Sequence, residues 1–297
     1  MNVQALTPEA PAGSLAIRSA TAADGDGCAE IFYDAFAAIA TRHSFPTEPG
    51  SPAFTRYRVS EMLATDGFVG LVAERDGEVL GSAFIDERVA IAGIGPVTVA
   101  PSAQDQGVGR ALMTAVLARE REREAPGVRL VQTAYHYRSL ALYSKLGFMI
   151  REPLSVLQGT PPVVSVPGCA VRPARADDLA ACGVLCHRIH GHDRNGELKD
   201  AIEAHTARVV ERPEGITGYA TGLGYGWHAV AETNEDLFAL LGSAEEFIGL
   251  GILVPSRNGE LLRWCLANGL RILQQSTLMT IGLYNEPAGA WLPSILY

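Results

Sequence analysis

The sequence predicts an α/β protein built from two consecutive units, each a mixed sheet flanked by helices. Three observations predict it. LAIRSATAADGDGCAEIF, from Leu15, is echoed by CAVRPARADDLAACGVLC, from Cys169, so that Cys28 falls on Cys182 at an offset of 154. Near the other end of each unit, HYRSLALYSKLGF (His136 to Phe148) matches NGELLRWCLANGL (Asn258 to Leu270) at an offset of 122. Within the first unit, strand-like and helix-like segments alternate after an early hairpin. The shrinking offset means that the second copy has lost about thirty residues from its middle. The expected divisions are a flexible N-terminus (1–14), a first unit (15–153), a linker (154–168) marked by Pro162, Pro167 and Gly168, and a second unit (169–297).

The elements of the first unit follow in order. LAIRSA is a strand, and helical material runs from Cys28 to about Ala64. FVGLVAERDGEVLGSAFIDER is a hairpin turning at Asp76-Gly77, a pair that tolerates the positive φ of a tight turn. Ile94 to Val99 is the next strand. A helix starts directly after Gly107, because Val108, Ala111, Leu112, Ala115 and Val116 share one stripe. The Arg/Glu run from Arg119 to Glu124 is expected as its solvated end. VRLVQTA is a strand, SLALYSKLGF a helix stopped at Gly147, and a last strand closes the unit. In the second unit, Gly269 is the matching stop.

Composition narrows the partners. Acidic residues outnumber basic ones 33 to 24, a net charge of −9, so bulk attraction to nucleic acid or to an anionic membrane is not expected. No apolar run approaches the length of a membrane span. The opening MNVQALTPEAPAGS lacks the basic start and apolar stretch of a signal peptide, and the five cysteines form no disulfide framework. A cytoplasmic protein is expected.

Against that acidic background, QDQGVGRALM stands out. A helix beginning after a glycine presents backbone N–H groups without intrahelical partners, and the helix dipole adds positive potential there. A nucleoside-triphosphatase loop would end in Gly-Lys-Ser/Thr, but Ala111 follows Arg110. A dinucleotide fingerprint would need a third small residue, but Leu112 stands there. What fits is Gln/Arg-x-x-Gly-x-Gly/Ala, met by Gln104, Gly107 and Gly109.

With VTVAP before this loop and LYSKLGF one strand after it, the chain resembles the GNAT superfamily, the acyl-CoA-dependent N-acyltransferases, over about residues 15–152. The resemblance implies two tandem GNAT-like domains with mostly antiparallel twisted sheets, and acetyl-CoA (or another acyl-CoA) as co-substrate. Gln104, Asp105, Gln106, Gly107, Val108, Gly109 and Arg110 would cradle its pyrophosphate. The backbone of Val97, Thr98 and Val99 would pair with the pantetheine arm. Tyr143 matches the family's general acid. His136 stands where the family often has an Asn that meets the cofactor, which alters that contact.

The acceptor amine is mostly protonated at neutral pH and needs a base. Asp86 and Glu87, at a strand end, are candidates. So is His43, in the acceptor-side segment TRHSFPTEPGSPAF. The implied activity is transfer of an acetyl group to a small-molecule or peptide amine by direct attack in a ternary complex. A non-catalytic acyl-CoA sensor and a mycothiol-synthase-like tandem acetyltransferase are the alternatives. A homodimer is one of the assemblies left open.

The second unit departs from the pattern. Its central strand, GYGWHAVA, leads into ETNEDLFALL, placing Glu232, Glu235 and Asp236 where phosphate would have to bind. Cys265 falls on Tyr143. CGVLCHRIHGHDR gathers Cys182, Cys186, His187, His190 and His192, but both cysteines share a core-facing stripe with Leu179 and Ile189, so no metal is expected. His190, His192 and Asp193 suit a polar pocket or an interface. The apolar C-terminus is expected as a packed strand and a tail tucked against a neighbour.

Overall fold

The computed structural model describes residues 13–48 and 50–296. Most of the segment expected as a flexible N-terminus, residues 1–12, therefore lies outside the described residues. The first half runs β1 (Ala16–Ser19), α1 (Gly25–His43), α2 (Pro52–Ala64), β2 (Phe68–Arg75), β3 (Glu78–Asp86), β4 (Ala92–Val99), α3 (Val108–Glu122), β5 (Gly127–Thr133), α4 (Tyr137–Lys145) and β6 (Met149–Gln158). The second half repeats that order as β7 (Ala170–Pro173), α5 (Leu179–His190), α6 (Asn195–Glu203), β8 (Arg208–Arg212), β9 (Gly215–Ala220), β10 (Ala229–Ala231), α7 (Asn234–Gly242), α8 (Gly259–Ala267) after β11 (Ile252–Pro255), and β12 (Arg271–Gly282), then adds β13 (Ala290–Leu292).

Local chemistry accounts for the boundaries. The β2–β3 turn puts Asp76 and Gly77 at φ 51° and 82°, the pair of left-handed residues that matches strand twist. Ser51 caps α2 by accepting from Phe54 N–H at 3.2 Å, with Pro52 in the first turn. Gly147 and Gly269, at φ 97° and 88°, stop α4 and α8. The repeat extends to side chains. Arg18 grips Asp24 through two hydrogen bonds of 2.9 and 2.8 Å, and Arg172 grips Asp178 in the same way at 2.7 and 2.9 Å. Cys28 and Cys182 lie buried at matching places on α1 and α5.

The shortened middle of the second copy is visible in its elements. β10 has three residues where β4 has eight, and α7 has nine where α3 has fifteen. The Arg/Glu run ending α3 is less solvated than expected. Glu120 is buried, and burial and the neighbouring Glu87 carboxylate raise its pKa.

The sheets do not divide as the halves do. Among the described residues, an eight-stranded sheet is ordered β1-β2-β3-β4-β5-β12-β6-β11, and a five-stranded sheet β13-β10-β9-β8-β7. β12, from the second half, lies antiparallel between β5 and β6 of the first. β6 in turn lies between β12 and β11 of the second. β6 stays paired with β12 through Gln158, across a register shift between Ile272 and Gln274, inside the segment expected as linker. Each half thus closes the other's sheet, and neither β5 nor β11 meets the closing strand of its own half. Leu154, Val156, Leu157, Leu278 and Met279 are fully buried along this exchange, each worth about 1.5–3 kcal/mol when withdrawn from water.

The C-terminus is packed, as its apolar character suggests. β13 pairs antiparallel with β10, Trp291 opposite Val230. Beyond it, Leu296 presses on β4 of the first half so closely that a Cβ on Gly93 would stand 2.9 Å from its carbonyl oxygen.

Candidate active site

β4 and β5 run parallel but pair only at Ala92–Val128 and Gly93–Arg129. Two residues of β4, Gly95 and Pro96, then oppose the single Phe84 of β3, a bulge that bends β4 away. Beyond Gly93, among the described residues, no strand pairs with the β5-facing edge of β4. The two strands form a V, closed at Gly93 and open toward Val99. Val97 and Val99 are partly exposed along it, whereas the Thr98 side chain is buried against Ser82, with 3.1 Å between hydroxyl oxygens.

The open end of β4 leads into the glycine loop. Gly107 caps α3 at φ 85°, a conformation costly for any residue with a side chain. Asp105 is also left-handed, at φ 65°. The first N–H groups of α3, on Val108, Gly109 and Arg110, precede the first intrahelical bond, which Ala111 makes to Gly107. Gly109 faces Val99 and Leu142 across the mouth of the V.

Two arginines that the motif does not contain hold the loop. Arg138, in the first turn of α4, donates to Gln104 Oε1 at 3.3 Å and to Asp105 Oδ1. Arg75, ending β2, donates to Gln106 Oε1 at 3.0 Å. A chain of net charge −9 thus gathers Arg75, Arg110 and Arg138 around one helix start. Neither Arg75 nor Arg138 carries a local sequence signal, because only the fold brings β2 and α4 to this loop.

Tyr143 is buried on α4 in the core beneath β5, its ring 5.9 Å from Phe148. Burial pushes its phenol up to about 12, so it keeps its proton at neutral pH. His136 caps the start of α4. Burial, then Arg138, lower its imidazole to about 4, leaving it neutral.

The expected bases sit elsewhere. Asp86 is opposite Gly93, at the closed end of the V, and accepts from Arg88 Nε at 2.9 Å; Arg88 also reaches Asp200 of α6 at 2.8 Å. Glu87 is bound by Arg119, with Nη2 donating at 3.0 Å, near the far end of α3 from the loop. Both carboxylates are therefore engaged in ion pairs away from the open end. His43 ends α1, 5.4 Å from the Tyr135 ring.

A carboxylate that sequence reasoning passed over lies nearer. Glu48, between α1 and α2, accepts from Thr133 Oγ1 at 2.8 Å, Gln274 Nε2 at 2.6 Å and Tyr225 OH at 3.4 Å. Its segment has no periodicity to mark it, and two of its partners come from the other half.

Among the described residues, the second half has no counterpart of the V. β13 fills the β10 edge that corresponds to the free edge of β4. Asp236 does not lie open at the helix start but turns back on the Thr233 cap. It is buried and accepts from Arg212, Thr217 and Thr233, capping α7 from within. Glu232, Glu235 and Glu260 line an open recess of about 300 Å³ there, a surrounding hostile to phosphate. Cys265 takes the place of Tyr143, buried in apolar surroundings that push its thiol up to about 12. Cys182 and Cys186 face the core of the second half, His187 is exposed, and the His190 ring packs edge-on to Trp291 at 5.5 Å.

Residues 30–148 match the family model of the acetyltransferase (GNAT) family. The first half is a GNAT acetyltransferase domain. The tandem GNAT-like fold extends over the whole chain. A structure from Pyrococcus horikoshii, designated an acetyltransferase, is similar at TM-score 0.71 and 20% identity, over 98% of this chain and 97% of that one. A GCN5-related N-acetyltransferase from Sphaerobacter thermophilus aligns at 0.60 and 14%, over 93% and 98%. A tandem GNAT protein from the clavulanic acid biosynthesis pathway aligns at 0.53 and 13%, over 91% and 98%. No curated protein matches the sequence. The GNAT domain carries the V and the glycine loop, and its family makes the chain an acyltransferase. No helix among the described residues is long and apolar enough to cross a membrane.

Proposed function

We propose that this chain is an N-acetyltransferase that moves an acetyl group from acetyl-CoA to a primary amine by direct attack in a ternary complex, with the GNAT domain of the first half as its catalytic unit. One observation carries this reading: the unpaired edge of β4 runs from the bulge straight into the Gly107 helix start. An extended chain bound there as an added strand would end with its anionic group on the N–H groups of Val108, Gly109 and Arg110.

Acetyl-CoA supplies the activated acyl group. Backbone groups of Val97 and Val99 hold its arm in register, and an N–H on that edge polarises the carbonyl oxygen as negative charge develops. Arg75 and Arg138 hold the loop, and together with Arg110 they favour the anion. Tyr143 donates a hydrogen bond to the departing sulfur. A phenol at about 12 facing a thiolate of ordinary pKa near 8.5 stabilises it better as a donor than by losing its proton outright. The neutral His136 ring borders the same helix start as a further hydrogen-bonding group.

The second half serves as structural partner and acceptor-side wall. Its corresponding slot holds β13, and its helix start faces carboxylates. Calorimetric titration of acetyl-CoA and a thiol-release assay over a panel of primary amines test the proposal. Binding with thiol release on at least one amine is expected. Tight binding without turnover on any amine would instead favour an acyl-CoA sensor.

A further inference from the structure

Glu48 belongs to no element, yet it takes hydrogen bonds from both halves. Thr133 ends β5, Gln274 lies in β12, and Tyr225 precedes β10, so three separate stretches converge on it. Two of the three donors go to Oε1, at 2.8 and 2.6 Å; among the described residues, Oε2 receives only the long 3.4 Å contact from Tyr225. The less satisfied oxygen can accept further donors.

A second observation points the same way. Gln274 is buried, 3% exposed, and its Nε2 is committed to Glu48, while its Oε1 has no hydrogen-bond partner among the described residues. A buried amide oxygen left without a donor is costly. An unfilled acceptor beside a carboxylate with spare capacity suits a group that brings several N–H donors and a positive charge. Aromatic rings complete the wall: Tyr135 lies beside Glu48 and stacks on Phe45 at 4.3 Å, a surface that suits a cation.

Position links this place to the V. On β5, Leu130 faces the core that contains Tyr143, and the Gln132 side chain turns toward α4. Val131 faces the cluster that includes Tyr225, and Thr133 bonds Glu48, so these residues point to the opposite face. Tyr143 and Glu48 therefore flank the open end of the V from opposite faces of the sheet.

We propose that Glu48 is the acceptor-binding catalytic residue, receiving a primary ammonium group at the junction of the two halves and taking a proton from it. This rests on the acetyltransferase reading above. The ammonium docks between Glu48 Oε2 and Gln274 Oε1, and one proton passes to the carboxylate. The neutral nitrogen then forms the N–C bond as the C–S bond breaks, and that electron pair leaves on sulfur. The second amine proton ends on the thiolate, and Glu48 returns its proton to water.

Burial raises the Glu48 carboxyl above its ordinary value, against the pull of its Thr133, Gln274 and Tyr225 hydrogen bonds, a direction that suits a base. The titratable groups facing it, Tyr135 and Tyr225, are both raised by burial and stay protonated near neutrality. The acceptor class is a compact primary amine, cationic at neutral pH, with room for an apolar or aromatic portion against Tyr135 and Phe45.

The test compares wild type with Glu48→Gln and Glu48→Asp, using ethanolamine, putrescine, phenethylamine and an alanine-initiated tripeptide. Acetyl-CoA affinity is expected to be unchanged in both variants. For Glu48→Gln, kcat/KM on the best amine should fall about 100-fold at pH 7, and the deficit should narrow as pH rises toward the amine's own pKa. Glu48→Asp should recover part of the rate with the wild-type pH profile. A Glu48→Gln rate within threefold of wild type, or a deficit that does not change with pH, would overturn the assignment. The same amines are titrated into the protein without acetyl-CoA and followed by intrinsic fluorescence. Equal responses from wild type and Glu48→Gln, including none from either, would also overturn it. Failure of the underlying acetyltransferase reading shows separately, as absent acetyl-CoA binding in all three proteins.

Discussion

Leu278 of the second half lies directly opposite Val131 of the first, in an unbroken run of pairs from Ser276–Thr133 to Gly282–Gly127. On its other side, the same strand pairs with β6. The two GNAT-like copies are therefore one cooperative body through the strand exchange, although they repeat in sequence.

Replacing Leu278, fully buried in that strand, with Ala should cost about 2–5 kcal/mol. Denaturant unfolding should remain a single transition for wild type and variant, since β12 belongs to both halves. Two separated transitions would contradict this coupling.

Acetyl-CoA should bind with one equivalent per chain. Gly107→Val places a branched side chain at φ 85°, a conformation that costs about 1–2 kcal/mol for a non-glycine residue; the free loop relaxes to escape that strain, and restoring the anion-holding geometry on binding costs about tenfold in affinity. Calorimetry should show that weakening with little change in melting temperature. A stoichiometry of two would mean that the second half binds acetyl-CoA despite β13 and its carboxylates.

Tyr143→Phe keeps the ring packed against Phe148 and removes the hydroxyl. Turnover should fall at least tenfold while acetyl-CoA affinity stays within twofold. An unchanged single-turnover rate would remove Tyr143 from the chemistry.

Stability should decline in acid before most carboxylates titrate. His136, His192 and His228 are each held at about 4 by burial first, with Arg138, Arg129 and Arg194 respectively the next contributors. Their unfolded value is near 6.5. Between those values the unfolded chain binds protons that the native state refuses, so stability is full above about 6.5 and is lost as pH falls through about 4. Unfolding free energies measured from pH 7 to pH 4 should show the slope. His228→Gln, at the position held by Glu197 and Tyr219, should flatten part of it.

Much of this protein is legible in its letters because the signals are local. The Asp76-Gly77 turn, the start of α3 after Gly107, the glycine stops of α4 and α8 and the matching of Cys28 with Cys182 all depend on backbone preferences or on spacing within one element. The repeat and the glycine loop named a family whose model matches the first half.

The base candidates could not be judged that way. Asp86 and Glu87 look available in a hairpin-end sequence, yet Arg88 and Arg119 occupy them once α3 and α6 pack nearby. Glu48 looks unremarkable beside its prolines, yet Thr133, Gln274 and Tyr225 converge on it from afar in sequence.

Taken alone, the sequence determined the tandem repeat, the order of elements and the phosphate-type loop, since each is written in periodicity, turn chemistry or a short motif. Only the tertiary structure decided that β12 and β6 change places, that β13 fills the second slot and that Glu48 faces the open end of the first. Those outcomes depend on which edges and buried polar groups find partners, and such partners lie up to 226 residues apart, as Gln274 does from Glu48.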